Sequence, residues 1–79
     1  MNITVTLDCS NFNLNKFDIK VNDELNIQEC INIVNESLKL NLELSRINYC
    51  KSKREKRIIT IYSSFRDNNI YTGDILELL

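Results

Sequence analysis

Apolar and polar residues alternate with a period of two at the start of the chain. In residues 2–8, NITVTLD, the apolar Ile3, Val5 and Leu7 alternate with polar residues, the pattern of a half-buried strand. The next stretch, CSNFNLN, has the Asn and Ser content of a turn, and KFDIKV after it alternates again. The sequence therefore predicts an N-terminal hairpin of two strands.

The period then changes to that of a helix. Apolar residues recur at helical spacing on one face: Ile27, Cys30, Ile31, Val34 and Leu38. Asn26 precedes this stripe and Glu29 follows three residues later, which is an Asn version of the capping box. The pattern predicts a helix from about Ile27 to Leu40.

Two more strands, an irregular segment and a final strand are predicted after the helix. RINYC is a strand candidate with Ile47 and Tyr49 on one face, KSKREK a charged turn, and RIITIY a second strand candidate. In the irregular SSFRDNNIYTGD, Phe65 and Ile70 are expected to enter the core, and Gly73 to adopt a positive φ. The last stretch, ILELL, predicts a strand with Leu76 and Leu78 toward the core and Ile75, Glu77 and Leu79 away from it.

The order of these elements favours one small α+β domain over residues 1–79. A helix that follows a hairpin can cover one face of the sheet, which gives a roll of ββαββ order with a last strand added. The length is that of a single domain, and proline is absent while glycine occurs once, so no linker is predicted.

The order and the stretch FRDNNIYTGDILELL resemble the ubiquitin-like β-grasp fold. Asp67 stands where such domains begin a short helical turn, Ile70 at their apolar anchor, and Gly73 and Asp74 at the turn before the last strand. The resemblance implies that the last strand lies in the middle of a mixed sheet, parallel to the first strand.

Within that superfamily the whole chain resembles the YukD/EsaB family, the small ubiquitin-like accessory proteins of type VII secretion in Gram-positive bacteria. The residues that match the family's opening pattern are Asp8, Asn11, Phe12, Asn13, Phe17, Asp18 and Ile19, and Gly73-Asp74 match its closing turn. The resemblance implies a non-enzymatic protein without cofactors. Its expected partners are the cytoplasmic parts of the secretion machinery.

The residues themselves carry little catalytic chemistry. Histidine is absent, which removes the commonest general base and the commonest metal ligand. The three cysteines, Cys9, Cys30 and Cys50, lie about twenty residues apart and match no zinc motif. They are expected to be free, buried thiols, and no enzymatic activity or metal is expected.

Charge and hydropathy indicate a cytoplasmic protein. The net charge of −1 gives no general attraction to nucleic acid or anionic membrane. No apolar run has the length of a membrane span, and the N-terminal residues lack the pattern of a signal peptide. We expect protein partners, without nucleic acid and without direct membrane insertion.

Two alternatives remain open at this point. A ubiquitin-like modifier or sulfur carrier would need a flexible Gly-Gly tail, whereas no glycine follows Gly73. The second alternative is a ubiquitin-like adaptor outside secretion. The end of the chain is therefore expected to serve the core, so that removing the last four residues unfolds the domain.

Three surfaces are candidates for partner binding. On the sheet face away from the helix the candidates are Thr4, Thr6, Asn48, Ile75 and Leu79, with Glu77 among them and Asn48 expected on the third strand. In the basic turn they are Lys53, Arg54, Lys56 and Arg57, next to Lys51. The plainer interpretation of that run is a solvated hairpin turn. Ile33 and Leu40, off the helical stripe, form the third candidate.

Overall fold

A computed structural model describes all 79 residues. It contains these elements in chain order: β1 (Asn2–Asp8), β2 (Lys16–Asn22), α1 (Ile27–Leu38), β3 (Tyr49–Ser52), β4 (Arg57–Thr60) and β5 (Ile75–Leu78). Short 3₁₀ turns lie at Ser10–Phe12, Leu44–Arg46 and Arg66–Asn68. The strands form one sheet in the order β2-β1-β5-β3-β4, with α1 against one face. The predicted α+β, β-grasp arrangement is confirmed.

The last strand occupies the centre of the sheet. β5 pairs parallel with β1, where Thr6 lies opposite Ile75, and antiparallel with β3, where Cys50 lies opposite Leu78. Gly73 precedes β5 with a φ of 94°, and the N–H of Asp74 bonds to the carbonyl of Tyr71 at 3.2 Å. The predicted turn, with its positive φ, is therefore confirmed.

The core lies between α1 and the inner side of the sheet. The helical stripe contributes Ile27, Cys30, Ile31 and Val34, while β5 contributes Leu76 and Leu78. Phe65 and Ile70 enter the core from the irregular segment, as predicted. The three cysteines are free and buried, also as predicted.

The helix begins at Ile27 as predicted, but its end and its capping differ from the prediction. It ends at Leu38 instead of Leu40, because Lys39 turns left-handed at a φ of 52° and donates its N–H to the carbonyl of Asn35. Leu38 is consequently 49% exposed and does not belong to the buried stripe. At the start, Asn26 caps the helix through Gln28, but the Glu29 side chain makes no reciprocal bond, so only half of the predicted capping box forms.

The prediction for the third strand was wrong in phase. Ile47 is buried at the end of a 3₁₀ turn, where its N–H bonds to the carbonyl of Leu44. β3 begins only at Tyr49, so Cys50 and Ser52 face the core while Tyr49 is 51% exposed. Ile47 and Tyr49 therefore do not share a face. Asn48, placed on this strand by the prediction, lies before it.

Candidate partner-binding surface

The side of the sheet opposite α1, which we call the outer face, carries most of the residues that were predicted for the sheet-face candidate surface. It is formed by alternate residues of the strands: Thr4, Thr6, Asp18, Tyr49, Lys51, Ile58, Thr60, Ile75, Glu77 and Leu79. Since side chains alternate across a strand, these positions follow from the buried partners Val5, Cys50, Ile59 and Leu76.

Exposed apolar side chains gather on the outer face where β3, β4 and the end of β5 meet. Tyr49, Ile58 and Leu79 are 51%, 61% and 39% exposed. The N–H of Leu79 donates to the carbonyl of Tyr49 at 3.1 Å, and Ile58 lies opposite Lys51, two residues along β3 from Tyr49. We call Tyr49, Ile58 and Leu79 the apolar cluster.

The sequence identified only Leu79 of the apolar cluster. Tyr49 was missed because its strand was placed in the wrong phase. Ile58 was missed because it stands beside Ile59 in RIITIY, where the apolar run leaves the inward residue undecided. The alternation of Cys50 and Ser52 with Tyr49 and Lys51 was the signal that could have located Tyr49.

The rest of the predicted sheet-face residues form a more polar part of the outer face. The Thr6 hydroxyl donates to the Asp18 carboxylate at 2.6 Å, and Ile75 is half-buried next to Thr6 on β5. Thr4 is exposed, and its carbonyl accepts the N–H of Gly73 at 2.9 Å. Asn48 stands apart from this group, as an acceptor for the hydroxyl of Tyr62.

The basic turn is partly tied to its surroundings. Lys53 Nζ lies 3.8 Å from the buried carboxylate of Asp8, and the Arg54 guanidinium lies 4.7 Å from the ring centroid of Tyr71. Arg57 donates to the carbonyl of Asn68. Lys51 and Lys56 are exposed and make no ion pair. Lys51 lies opposite Ile58 of the apolar cluster, and Lys56 lies in the turn just before β4.

Two buried carboxylates hold the neighbouring loops. Asp74 accepts the Ser52 hydroxyl at 2.6 Å and the N–H groups of Ile75 and Arg54 at 2.7 and 3.2 Å. Asp8 accepts the N–H of Ser10 at 3.0 Å, and this hydrogen bond holds the pKa of the Asp8 carboxyl below its usual range. Asp8 and Asp74 thus stabilise the loops beside the strands.

The thiols are poor nucleophiles in this setting. Burial raises the pKa of Cys30 to about 11 and that of Cys50 to about 12, and it also raises the pKa of Cys9. Because of these raised pKa values the thiols remain protonated near neutral pH, whereas the thiolate is the reactive form.

None of the helices has the length and apolar character that crossing a bilayer requires.

Comparisons with known proteins show the fold. The structure is similar to the solution structure of the C-terminal ubiquitin-like domain of mouse tubulin-specific chaperone e, with a TM-score of 0.72 and 18% identity over 99% of this chain and 84% of that domain. It is also similar to a de novo designed protein based on ubiquitin, with a TM-score of 0.74 and 14% identity over 99% of this chain and 87% of the design. No protein-family model and no curated protein matches the sequence.

Proposed function

We propose that this chain is a non-enzymatic accessory protein of a bacterial type VII secretion system. In this proposal it acts in the cytoplasm and binds cytoplasmic parts of the secretion machinery through the outer face. The observation that carries the binding role is the apolar cluster on a ubiquitin-like sheet. The pathway rests on the resemblance of the sequence to the YukD/EsaB family.

The outer face has the composition of a protein-binding surface. A single exposed apolar residue is ordinary, but Tyr49 lies beside Leu79 of the neighbouring strand and diagonal to Ile58 on β4. Tyrosine is enriched at the centres of protein interfaces because it buries a large area with few rotamers to fix. This cluster supplies the anchor of the proposed contact.

The cations beside the apolar cluster favour an acidic partner surface. Lys51 and Lys56 are exposed without ion pairs, and Lys53 is 46% exposed at the rim. Charges at an interface rim mainly steer the encounter and select the partner. We therefore expect partner association to weaken as salt is raised, because screening shortens the reach of these charges.

Binding also fits the lack of reactive groups. The sequence has no histidine, and burial keeps the three thiols protonated. A nucleophile would need an adjacent base or a lowered pKa. For these two reasons we propose a non-enzymatic role.

Deletion of the gene tests the pathway. Export of small Trp-X-Gly effectors would be measured in the source organism, in the deletion strain, and in that strain complemented with the wild-type chain. Loss of export on deletion and its return on complementation are expected. Unchanged export across growth conditions would contradict the proposal.

Two further observations separate this proposal from the alternatives, which share the ubiquitin-like fold. An adaptor outside secretion predicts that no Trp-X-Gly protein and no FtsK/SpoIIIE-type ATPase is encoded nearby. A modifier or sulfur carrier predicts an isopeptide adduct or a thiocarboxylate, which the intact mass of the cellular protein would reveal. We expect neither modification in the intact mass. We also expect genes of a secretion system to be encoded nearby.

A further inference from the structure

One edge of the sheet has backbone groups that no other part of the chain satisfies. In the pairing of β1 with β2, Asp23 N donates to Met1 O, and Cys9 N donates to Asn15 O. Hydrogen-bonded and non-hydrogen-bonded pairs alternate in an antiparallel ladder. The backbone N–H and C=O groups of the odd-numbered residues of β2 therefore point toward β1. The N–H and C=O groups of Lys16, Asp18 and Lys20 therefore point away from the sheet, and no other segment bonds to them.

An apolar groove runs beside this edge, on the side of the sheet that α1 covers. Its volume is about 390 Å³. The apolar side chains that line it are Ile19, Val21, Leu25, Cys30, Ile33 and Val34. Ile33 on α1 is 55% exposed, and Ile19 and Val21 are only half-buried. The groove thus leaves apolar surface uncovered directly below the open backbone edge.

We propose that β2 accepts an extended segment of a partner protein as a sixth strand, with apolar side chains at alternate positions and acidic side chains opposite Lys16 and Lys20. An added strand satisfies the open N–H and C=O groups of Lys16, Asp18 and Lys20. Its alternate side chains point to the α1 side and enter the groove over Ile19, Val21 and Ile33. The edge supplies affinity through the backbone, and the groove selects apolar residues.

Charged side chains near β2 indicate which residues the incoming strand should carry on the outer side of the sheet. Lys16 and Lys20 project on the outer side of β2, while the Asp18 carboxylate between them is bonded to the Thr6 hydroxyl. Side chains directly opposite on one face of a sheet interact, so the incoming strand gains from acidic residues opposite the two lysines. On α1, Glu29 and Glu36 are neighbours of Ile33 at helical spacing and would repel acidic residues from the groove.

A second copy of the chain fits this edge less well. Pairing of two β2 strands about a twofold axis at Asp18 places Asp18 opposite Asp18 and Lys16 opposite Lys20, which are like charges. Every such twofold also brings two copies of α1 to the same side, each with Glu29 and Glu36 beside the groove. The charges therefore favour a different, acidic partner strand.

This site is separate from the outer face, and the inference does not depend on the proposed function. The groove residues lie on the α1 side of the sheet, whereas Tyr49, Ile58 and Leu79 lie on the opposite side. β2 and β4 are at opposite edges of the sheet. One chain could therefore hold a strand at β2 while the outer face engages another surface.

The test uses a fluorescein-labelled peptide, Glu-Ile-Thr-Val-Glu-Val-Thr, whose two glutamates can lie opposite Lys16 and Lys20 with a threonine opposite Asp18. It is titrated with the full chain and followed by fluorescence anisotropy. Two N-methylated versions are matched controls, one methylated at the glutamate and threonine amides and the other at the amides of the apolar residues. In a paired strand, the backbone amides of only one of these two sets can point toward β2. We expect one version to bind about tenfold or more weakly and the other to bind like the parent, as loss of hydrogen bonds on one side predicts.

Variants of the protein test the pairing of the peptide with β2 and its contact with the groove. Asp18→Pro removes an N–H that points away from β1, a position where an edge strand tolerates proline, and Asp18→Ala is its control. We expect the proline variant to lose about tenfold or more in affinity and the alanine variant to keep it. Ile33→Ala should weaken binding several-fold, while Leu38→Ala, similarly exposed on α1 but outside the groove, should not.

Three results would overturn the inference. The first is no binding of the parent peptide at millimolar protein. The second is an equal effect of the two N-methylated versions, which requires no unfolding control because the protein is unchanged. The third is a concentration-dependent dimer in sedimentation equilibrium that the peptide cannot dissociate, since a second copy would then occupy the edge.

Discussion

The hydroxyl of Ser52 donates a 2.6 Å hydrogen bond to the carboxylate of Asp74, and both side chains are buried. Ser52 is the last residue of β3, and Asp74 immediately precedes β5, so the bond closes the point where the basic turn and the central strand meet. Asp74 also accepts the N–H of Arg54 within that turn. One buried carboxylate therefore positions both the start of the central strand and the loop that carries the cations.

Asp74→Ala should destabilise the fold more than Asp74→Asn. Alanine leaves the Ser52 hydroxyl and the N–H of Arg54 without an acceptor, at a cost of about 3 kcal/mol, whereas asparagine keeps an acceptor oxygen. Urea denaturation measures both. Since the two side chains share one bond, Ser52→Ala combined with Asp74→Ala should cost about 1 kcal/mol less than the sum of the single changes. Strict additivity would show that the bond contributes nothing to stability.

Asp8 should make the stability of the domain depend on acid pH. The pKa of Asp8 is lowered in the folded state, chiefly by the N–H of Ser10, so the folded chain binds fewer protons than the unfolded chain. This stabilisation is present above the unfolded pKa and is lost as pH falls through the folded pKa. Asp8→Asn should therefore be less stable than the wild type at about pH 6, and the gap should narrow toward about pH 3. A gap that stays constant over this range would contradict the assignment.

Leu78 and Leu79 should respond very differently to alanine. Leu78 is fully buried on the inner side of β5, and Leu78→Ala should cost about 2–5 kcal/mol of unfolding free energy. Leu79 is 39% exposed on the outer face, so Leu79→Ala should cost well under half as much. Thermal melts followed by circular dichroism compare the two. Similar losses for both residues would contradict this assignment, and a larger loss for Leu79 would mean that the strand is in the other phase.

Backbone conformation at two turns predicts opposite effects of glycine. Lys56 adopts a φ of 55° in the basic turn, a left-handed conformation that costs a side-chain-bearing residue about 1–2 kcal/mol, so Lys56→Gly should be neutral or stabilising. Gly73 adopts a φ of 94° with open space at its absent Cβ, so Gly73→Ala should destabilise by a similar amount through strain and without a clash. Chemical denaturation of the two variants checks the signs.

The sequence was sufficient for the parts of the fold that local patterns determine. Alternation at Ile3, Val5 and Leu7 located β1, helical spacing located α1, and the single glycine located the turn before β5. The central position of β5 came from the resemblance to ubiquitin-like domains, because no local pattern states which strands become neighbours.

The candidate surface was less accessible from the sequence. Ile47 and Tyr49 have the spacing of residues on one face of a strand. Ile47 instead caps a 3₁₀ turn, and β3 begins only at Tyr49. No apolar pattern in the sequence reveals where the turn ends and the strand begins. Adjacent Ile58 and Ile59 leave the inward residue of β4 ambiguous. The groove at β2 depends on Ile19 and Ile33 from two elements and on β2 being an edge, which is a property of the whole sheet.

Rescue of secretion by outer-face variants tests the central proposal most directly. The deletion strain would be complemented with the double variant Tyr49→Ser and Ile58→Ser, and in parallel with Leu38→Ser, an exposed apolar residue on α1. Circular dichroism melts would establish that both variants fold. We expect Leu38→Ser to restore export of the Trp-X-Gly effector, and we expect the folded double variant not to restore it. Full export with the double variant would contradict a binding role of the outer face.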